Sequence, residues 1–166
     1  MLGIGISPNL RQPSDGGAGL SLDGWSIAVG TGEISLTPSG DPHLTIADND
    51  DPSHASFPLG ECYVFANQNA IDFRVENAMV TELNTDYQLT LDISFLAVGD
   101  RVTLRVYDNN GGILSSSFTP FTTAQTITIP YTTPGVHGEL THLRVNAQSL
   151  ANPTTAYFNN LVNVAV

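Results

Sequence analysis

The densest run of potential metal ligands in this sequence is Asp48-Asn49-Asp50-Asp51-Pro52. The carboxylates of Asp48, Asp50 and Asp51 could hold calcium, a hard cation that prefers oxygen, at the cost of ordering one loop. Pro52 and Ser53 stand where an EF-hand loop needs an acid and a glycine, so the run is not that loop. The competing reading is a solvated turn whose aspartates cap their own backbone, and both stay open here. His43, His54, His137, His142 and Cys62 show none of the paired spacings of zinc sites, so the histidines are read as ordinary surface or strand residues. Cys62, in Glu61-Cys62-Tyr63-Val64-Phe65, reads as a small buried residue. Ser115-Ser116-Ser117 has no nucleophile elbow around it, and Gly16-Gly17-Ala18-Gly19 lacks the lysine of a phosphate loop. Asp and Glu together number 16, yet no spacing marks two of them as a hydrolytic pair. A non-enzymatic role is expected.

A second group carries recognition rather than reaction. Asp92, Arg105, Tyr107, His142 and Arg144 all fall on the outward side of alternating segments. Were those segments to share a sheet, they would form a polar face with one phenol ring and two guanidinium groups. Such a face could bind a sugar through stacking and bidentate hydrogen bonds, or a neighbouring subunit. The alternative is a plain solvated sheet face. Arg11, in the first segment of the chain, is a further candidate contact.

These residues need strands to hold them. Residues 1–24 are rich in Gly, Pro, Ser and Asp without sustained periodicity, and read as an extended N-terminal arm. Residues 25–166 read as one domain. Strands are expected at 25–29, 33–37, 43–47, 61–66, 71–76, 86–96, 101–108, 112–118, 124–130, 140–147 and 156–166. None has helical spacing over more than two turns. Ten prolines and fifteen glycines fall mostly between them. The fold class is all-β, an antiparallel β-sandwich or jelly roll with an extended N-terminal arm. Segments 86–96 and 101–108 read as a hairpin with Phe95 opposite Val102 and Leu91 opposite Val106. That register would set Asp92 against Arg105 as a cross-strand ion pair. Asp108-Asn109-Asn110-Gly111-Gly112 supplies the next tight turn. In the last strand Phe158, Asn160, Val162, Val164 and Val166 are expected on one face, and Asn159, Leu161, Asn163 and Ala165 on the other.

The charge excludes some partners. Lys+Arg is 5 against Asp+Glu 16, a formal net charge of −11, and all five basic residues are arginine. Nucleic acid and anionic membrane both need basic patches, so neither is an expected partner. A lysine-free acidic surface suits salty or calcium-containing surroundings; a coding bias that exchanges Lys for Arg gives the same composition. No apolar run reaches membrane-spanning length, and Met1–Gln12 has no secretory-signal pattern.

Several segments together resemble a known family. These are Leu22-Asp23-Gly24-Trp25, the stretch Asn84–Ile93, the stretch Arg101–Asp108 with Gly111-Gly112 after it, and Ala156–Val164. Their order resembles the jelly-roll carbohydrate-binding-module superfamily, the galactose-binding-like sandwiches. Gly-Trp opens such a domain and a Phe-x-Asp-Asn-Val-x-Val strand closes it. The resemblance implies a β-sandwich over roughly residues 22–166, glycan recognition and, in some members, structural calcium. Asn159 and Asn160 depart from the acid expected near the final strand. The single Trp matches a core position rather than a sugar platform. Size, start and arm are also similar to those of phage head-decoration (cement) proteins. Two readings follow. The first is a virion accessory protein, a homotrimer on the capsid surface that docks on and stabilises the major capsid protein through residues 1–20. The alternative is a carbohydrate-binding module recognising a glycan, with calcium as its one candidate ion.

Overall fold

The computed structural model describes residues 20–49, 60–67, 72–95, 101–120, 125–147 and 154–166. These form eleven strands: β1 (Trp25–Val29), β2 (Glu33–Ile34), β3 (His43–Asn49), β4 (Gly60–Asn67), β5 (Arg74–Val80), β6 (Asp86–Phe95), β7 (Arg101–Asp108), β8 (Ile113–Pro120), β9 (Gln125–Thr132), β10 (Leu140–Ala147) and β11 (Thr154–Ala165). A five-stranded sheet has the order β1-β5-β10-β7-β8, and a six-stranded sheet the order β2-β3-β4-β11-β6-β9. The paired strands run antiparallel, except β2 with β3, which run parallel. The strand expected over 71–76 runs instead from Arg74 to Val80.

Alternation decides which side chains meet. Tyr87, Leu89, Leu91 and Ile93 of β6 are buried, as are Val102, Leu104 and Val106 of β7 and Leu143 and Val145 of β10. Each strand turns its apolar set inward, and the two sheets close over one core. Aromatic rings anchor one end. Trp25 lies 5.3 Å from Tyr63 and 5.5 Å from Phe158, ring centre to ring centre. Tyr63 Oη donates to the Ser21 carbonyl at 2.9 Å, and Leu20 and Leu22 pack on the core. Leu20 and Leu22, within the expected arm, thus lie against the sandwich ahead of β1. The rest of the expected arm, residues 1–19, lies outside the described residues.

Two expected registers are corrected. β6 and β7 are not a hairpin: β6 pairs with β11 and β9, whereas β7 pairs with β10 and β8. Their apolar faces meet across the core instead of lying side by side, so both are fully buried. Asp92 therefore does not face Arg105. In β11 a bulge inserts one residue, because Asn159 opposes Asp92 while Val162 opposes Thr90. Asn160 adopts φ 50°, a left-handed geometry that asparagine tolerates, and its N–H is held by Asn159 Oδ1 at 2.8 Å. The slip exchanges the faces beyond it. Leu161 is buried with Phe158, while Val164 and Val166 are exposed. The expected β7–β8 turn forms, with Gly111 at φ 84° and Asp108 Oδ1 accepting from the N–H of Asn110 and Gly112.

A buried threonine ties two loops together at one end of the sandwich. Thr133 is 1% exposed. Its Oγ1 donates toward the Glu82 and Thr85 carbonyls and accepts from the Thr85 N–H at 2.9 Å. Thr133→Val keeps the shape and takes this partner from the Glu82 carbonyl and the Thr85 N–H, while the Thr85 carbonyl still accepts from the backbone N–H of residue 133. A loss of about 2 kcal/mol is expected in urea unfolding. Cys62 is fully buried, and its Sγ–H donates to the Ala47 carbonyl at 3.4 Å. Burial first, then the Asp48 charge, pushes its thiol from about 9 up to about 11. The native chain should resist alkylation near pH 8 and react once unfolded. Because the folded value is raised, this contribution is complete below about pH 9 and is lost as pH rises toward about 11. A melting-temperature series across that window measures it, with Cys62→Ala as the reference that lacks the titration.

Candidate functional site

The outer face of the five-stranded sheet gathers polar residues from three adjacent strands. β5 supplies Arg74, Glu76 and Ala78; β10 supplies His142, Arg144 and Asn146; β7 supplies Thr103, Arg105 and Tyr107. Register sets them in rows. Ala78, His142 and Tyr107 form one row, Glu76, Arg144 and Arg105 the next, and Arg74, Asn146 and Thr103 the third. Their neighbours along each strand, such as Val75, Leu143 and Leu104, point into the core. The same apolar alternation that builds the sandwich thus aims every second residue at this face.

The centre of the face is braced. Arg144 donates through Nε and Nη2 to Glu76 Oε2, at 3.1 and 2.8 Å. Its guanidinium carbon lies 4.2 Å from the centre of the Tyr107 ring, an arrangement favoured by the ring quadrupole. Tyr107 is only 7% exposed. The open sugar-stacking platform expected of Tyr107 is therefore corrected: the arginine covers one face of its ring. At the border of the face, Arg74 forms a bidentate pair with Asp72, at 2.8 and 3.0 Å.

Beside this brace, hydrogen-bonding capacity is left over. Among the described residues, the buried atoms Thr103 Oγ1, His142 Nδ1 and Asn146 Oδ1 have no hydrogen-bond partner. His142 Nδ1 stands 3.8 Å from Glu76 Oε1, an ionic approach longer than a hydrogen bond. Thr103 and Asn146 oppose each other across β7 and β10. Buried polar groups are nearly always paired, so three such atoms on one sheet face stand out; Thr103 is only 1% exposed, so neighbouring side chains must part before a ligand reaches its hydroxyl.

Of the residues singled out in the sequence, Arg105, Tyr107, His142 and Arg144 come together here. Asp92 does not. It lies on the outer face of the opposite sheet, where it accepts from Thr126 Oγ1 and Asn160 Nδ2. Arg11 lies outside the described residues, as do Asp50 and Asp51. Asp48 sits near the end of β3, exposed and opposite Glu61. Among the described residues, no group of three acids, histidines or cysteines is placed to hold a metal ion. Sequence reasoning missed Glu76, Thr103 and Asn146. Their signal was positional: each lies two residues from an arginine on its own strand, hence on the same face.

No protein-family model matches the chain, and no curated protein sequence does. Solved structures do match in fold. A tailspike protein 4 enzymatically active domain from bacteriophage CBA120 aligns at TM-score 0.58 and 14% identity, covering 88% of this chain and 20% of that one. A Clostridium thermocellum xylanase 10B fragment with CBM22-1 and GH10 modules, complexed with xylohexaose, aligns at TM-score 0.59 and 12% identity, covering 87% and 26%. TmCBM61, solved with β-1,4-galactotriose, aligns at TM-score 0.56 and 13% identity, covering 87% and 90%. The chain thus spans a fifth to a quarter of the two enzyme chains and most of the lone module. It has the β-sandwich fold of the carbohydrate-binding modules.

Proposed function

We propose that the chain is a glycan-binding module and that the outer face of its five-stranded sheet is the binding surface. The observation that carries this reading is the set of buried, unpartnered atoms at Thr103, His142 and Asn146, beside a braced arginine and tyrosine. A sugar hydroxyl both donates and accepts, so one ring can satisfy a threonine hydroxyl and an amide oxygen together. The brace holds Arg144 in one geometry before a ligand arrives, which lowers the entropy lost on binding. Glu76 is the acid at the centre of the face. Its carboxylate is held by Arg144, which suits orienting a ligand more than transferring a proton. The role proposed is binding, not catalysis. The fold shared with TmCBM61 and with CBM22-containing xylanase supports it by analogy.

The capsid-docking reading has less support. Its arm falls on residues 1–19, outside the described residues. The phage protein among the similar structures named above is a tailspike.

The test exploits a conflict between stability and function. Thr103→Val removes a buried hydroxyl that has no partner in the free protein, so the variant should be as stable as the wild type or about 1 kcal/mol more so. If the hydroxyl serves a ligand, the same change should weaken glycan binding roughly five-fold, about one neutral hydrogen bond. Isothermal titration against a panel of soluble polysaccharides, with Asp92→Asn as the opposite-face control, reads both. Binding that is unchanged in Thr103→Val but lost in Asp92→Asn would move the site to the other sheet.

A further inference from the structure

Residues 109–138 contain no Asp, Glu, Lys or Arg, although 13% of the chain is charged. The run holds the whole of β8 and β9. β8 is the last strand of one sheet and β9 the last of the other, and the two lie beside each other across the sandwich. One side wall of the molecule is therefore built from strands without a charge. The opposite wall, from β1 and β2, carries Glu33.

A side wall also presents backbone. An end strand turns a row of N–H and C=O groups away from its sheet, and proteins blunt such rows with short strands, bulges, prolines or charges. Of the four end strands described, three are blunted. β2 has two residues, β1 has five with a bulge between Ile27 and Val29, and β9 carries Pro130 in its interior. β8 is the exception. It runs for eight residues, Ile113–Pro120, and among the described residues no strand pairs with its outer side. Its bulge falls at its first residues and its proline is its last, so residues 115–119 form an uninterrupted, uncharged edge. Ile113, at the head of the strand, is 57% exposed. Charge then says what fits there. With a net charge of −11, two copies of this chain repel each other wherever acidic surfaces meet. The uncharged wall is where that repulsion is least. Two β8 edges related by a two-fold axis run antiparallel, so each supplies donors to the other's carbonyls in a self-complementary contact.

We propose that the chain forms a two-fold dimer in which β8 pairs with β8 of a second copy. The five-stranded sheet then continues into its partner as ten strands, and the two outer faces lie side by side. The assembly closes at two copies, because β8 is then paired on both sides. The inference stands on the open edge and the charge pattern, and it needs no glycan.

The test is sedimentation equilibrium of the full chain, without ligand, from about 1 to about 300 µM, a range that spans the affinities of small reversible interfaces. The mass should rise from the 17.6 kDa of one chain to twice that value and stop there. Raising salt from about 0.05 to about 0.5 M screens the remaining repulsion and should tighten the dimer at least about three-fold. Ser116 lies in the middle of β8, opposite Arg105 in register. Ser116→Glu brings like charges to the junction and should weaken dimerisation at least about ten-fold. Thr37→Glu, at an exposed position after β2 on the other wall, should change it less than about two-fold. Hydrogen exchange of the wild type locates the junction without a variant: amides 115–119 should exchange at least about five-fold more slowly at the top of the concentration range than at the bottom. The mass of a single chain throughout, a trimer, or protection gained along a different strand would each overturn the proposal.

Discussion

Two sheets share one apolar layer, and the outward features of this molecule follow from how strands are dealt to either side of it. β6 and β7 are neighbours in sequence, and each has one apolar face. Lying side by side, they would each still need a cover for that face. Placed in opposite sheets, they cover each other and bury Leu89, Leu91 and Ile93 against the same core as Val102, Leu104 and Val106. That single choice puts β7 beside β10, which brings Arg105 and Tyr107 to Arg144 and His142. It also sends Asp92 to the far side.

The brace of Glu76, Arg144 and Tyr107 depends on that placement. A carboxylate from β5, a guanidinium from β10 and a ring from β7 meet because register aligns them in successive positions of adjacent strands. Each contact is modest alone, about 1 kcal/mol or less for a partly exposed ion pair or cation–π contact. Their value is positional. They fix a charged side chain on a sheet, which holds its shape better than a loop, beside oxygens that the fold leaves unpaired.

Most of the architecture was legible in the sequence. Period-two alternation located the strands, because an apolar residue at every second position has one way to be buried. Strand partners were not legible. Adjacency suggested the β6–β7 hairpin, whereas the burial of both apolar faces at once is a property of the whole sandwich. The face exchange in β11 was hidden for a different reason. A bulge at Asn159 and Asn160 changes the count by one residue, and an Asn-Asn pair permits that geometry without demanding it. For the candidate site, alternation put Arg105, Tyr107, His142 and Arg144 on outward faces, and only topology could join them. The unpaired atoms of Thr103 and Asn146 could not be read from sequence, since pairing depends on what surrounds each atom in three dimensions.

The central claim is that the outer face of the five-stranded sheet meets the ligand. Backbone amide chemical shifts, followed by NMR while xylohexaose and β-1,4-galactotriose are titrated in turn, test it most directly. The account predicts that the shifts caused by the bound sugar cluster at residues 74–78, 103–107 and 142–146, with little change along β6 and β9. Shifts concentrated on β6 and β9, or an unperturbed spectrum with both sugars, would contradict it.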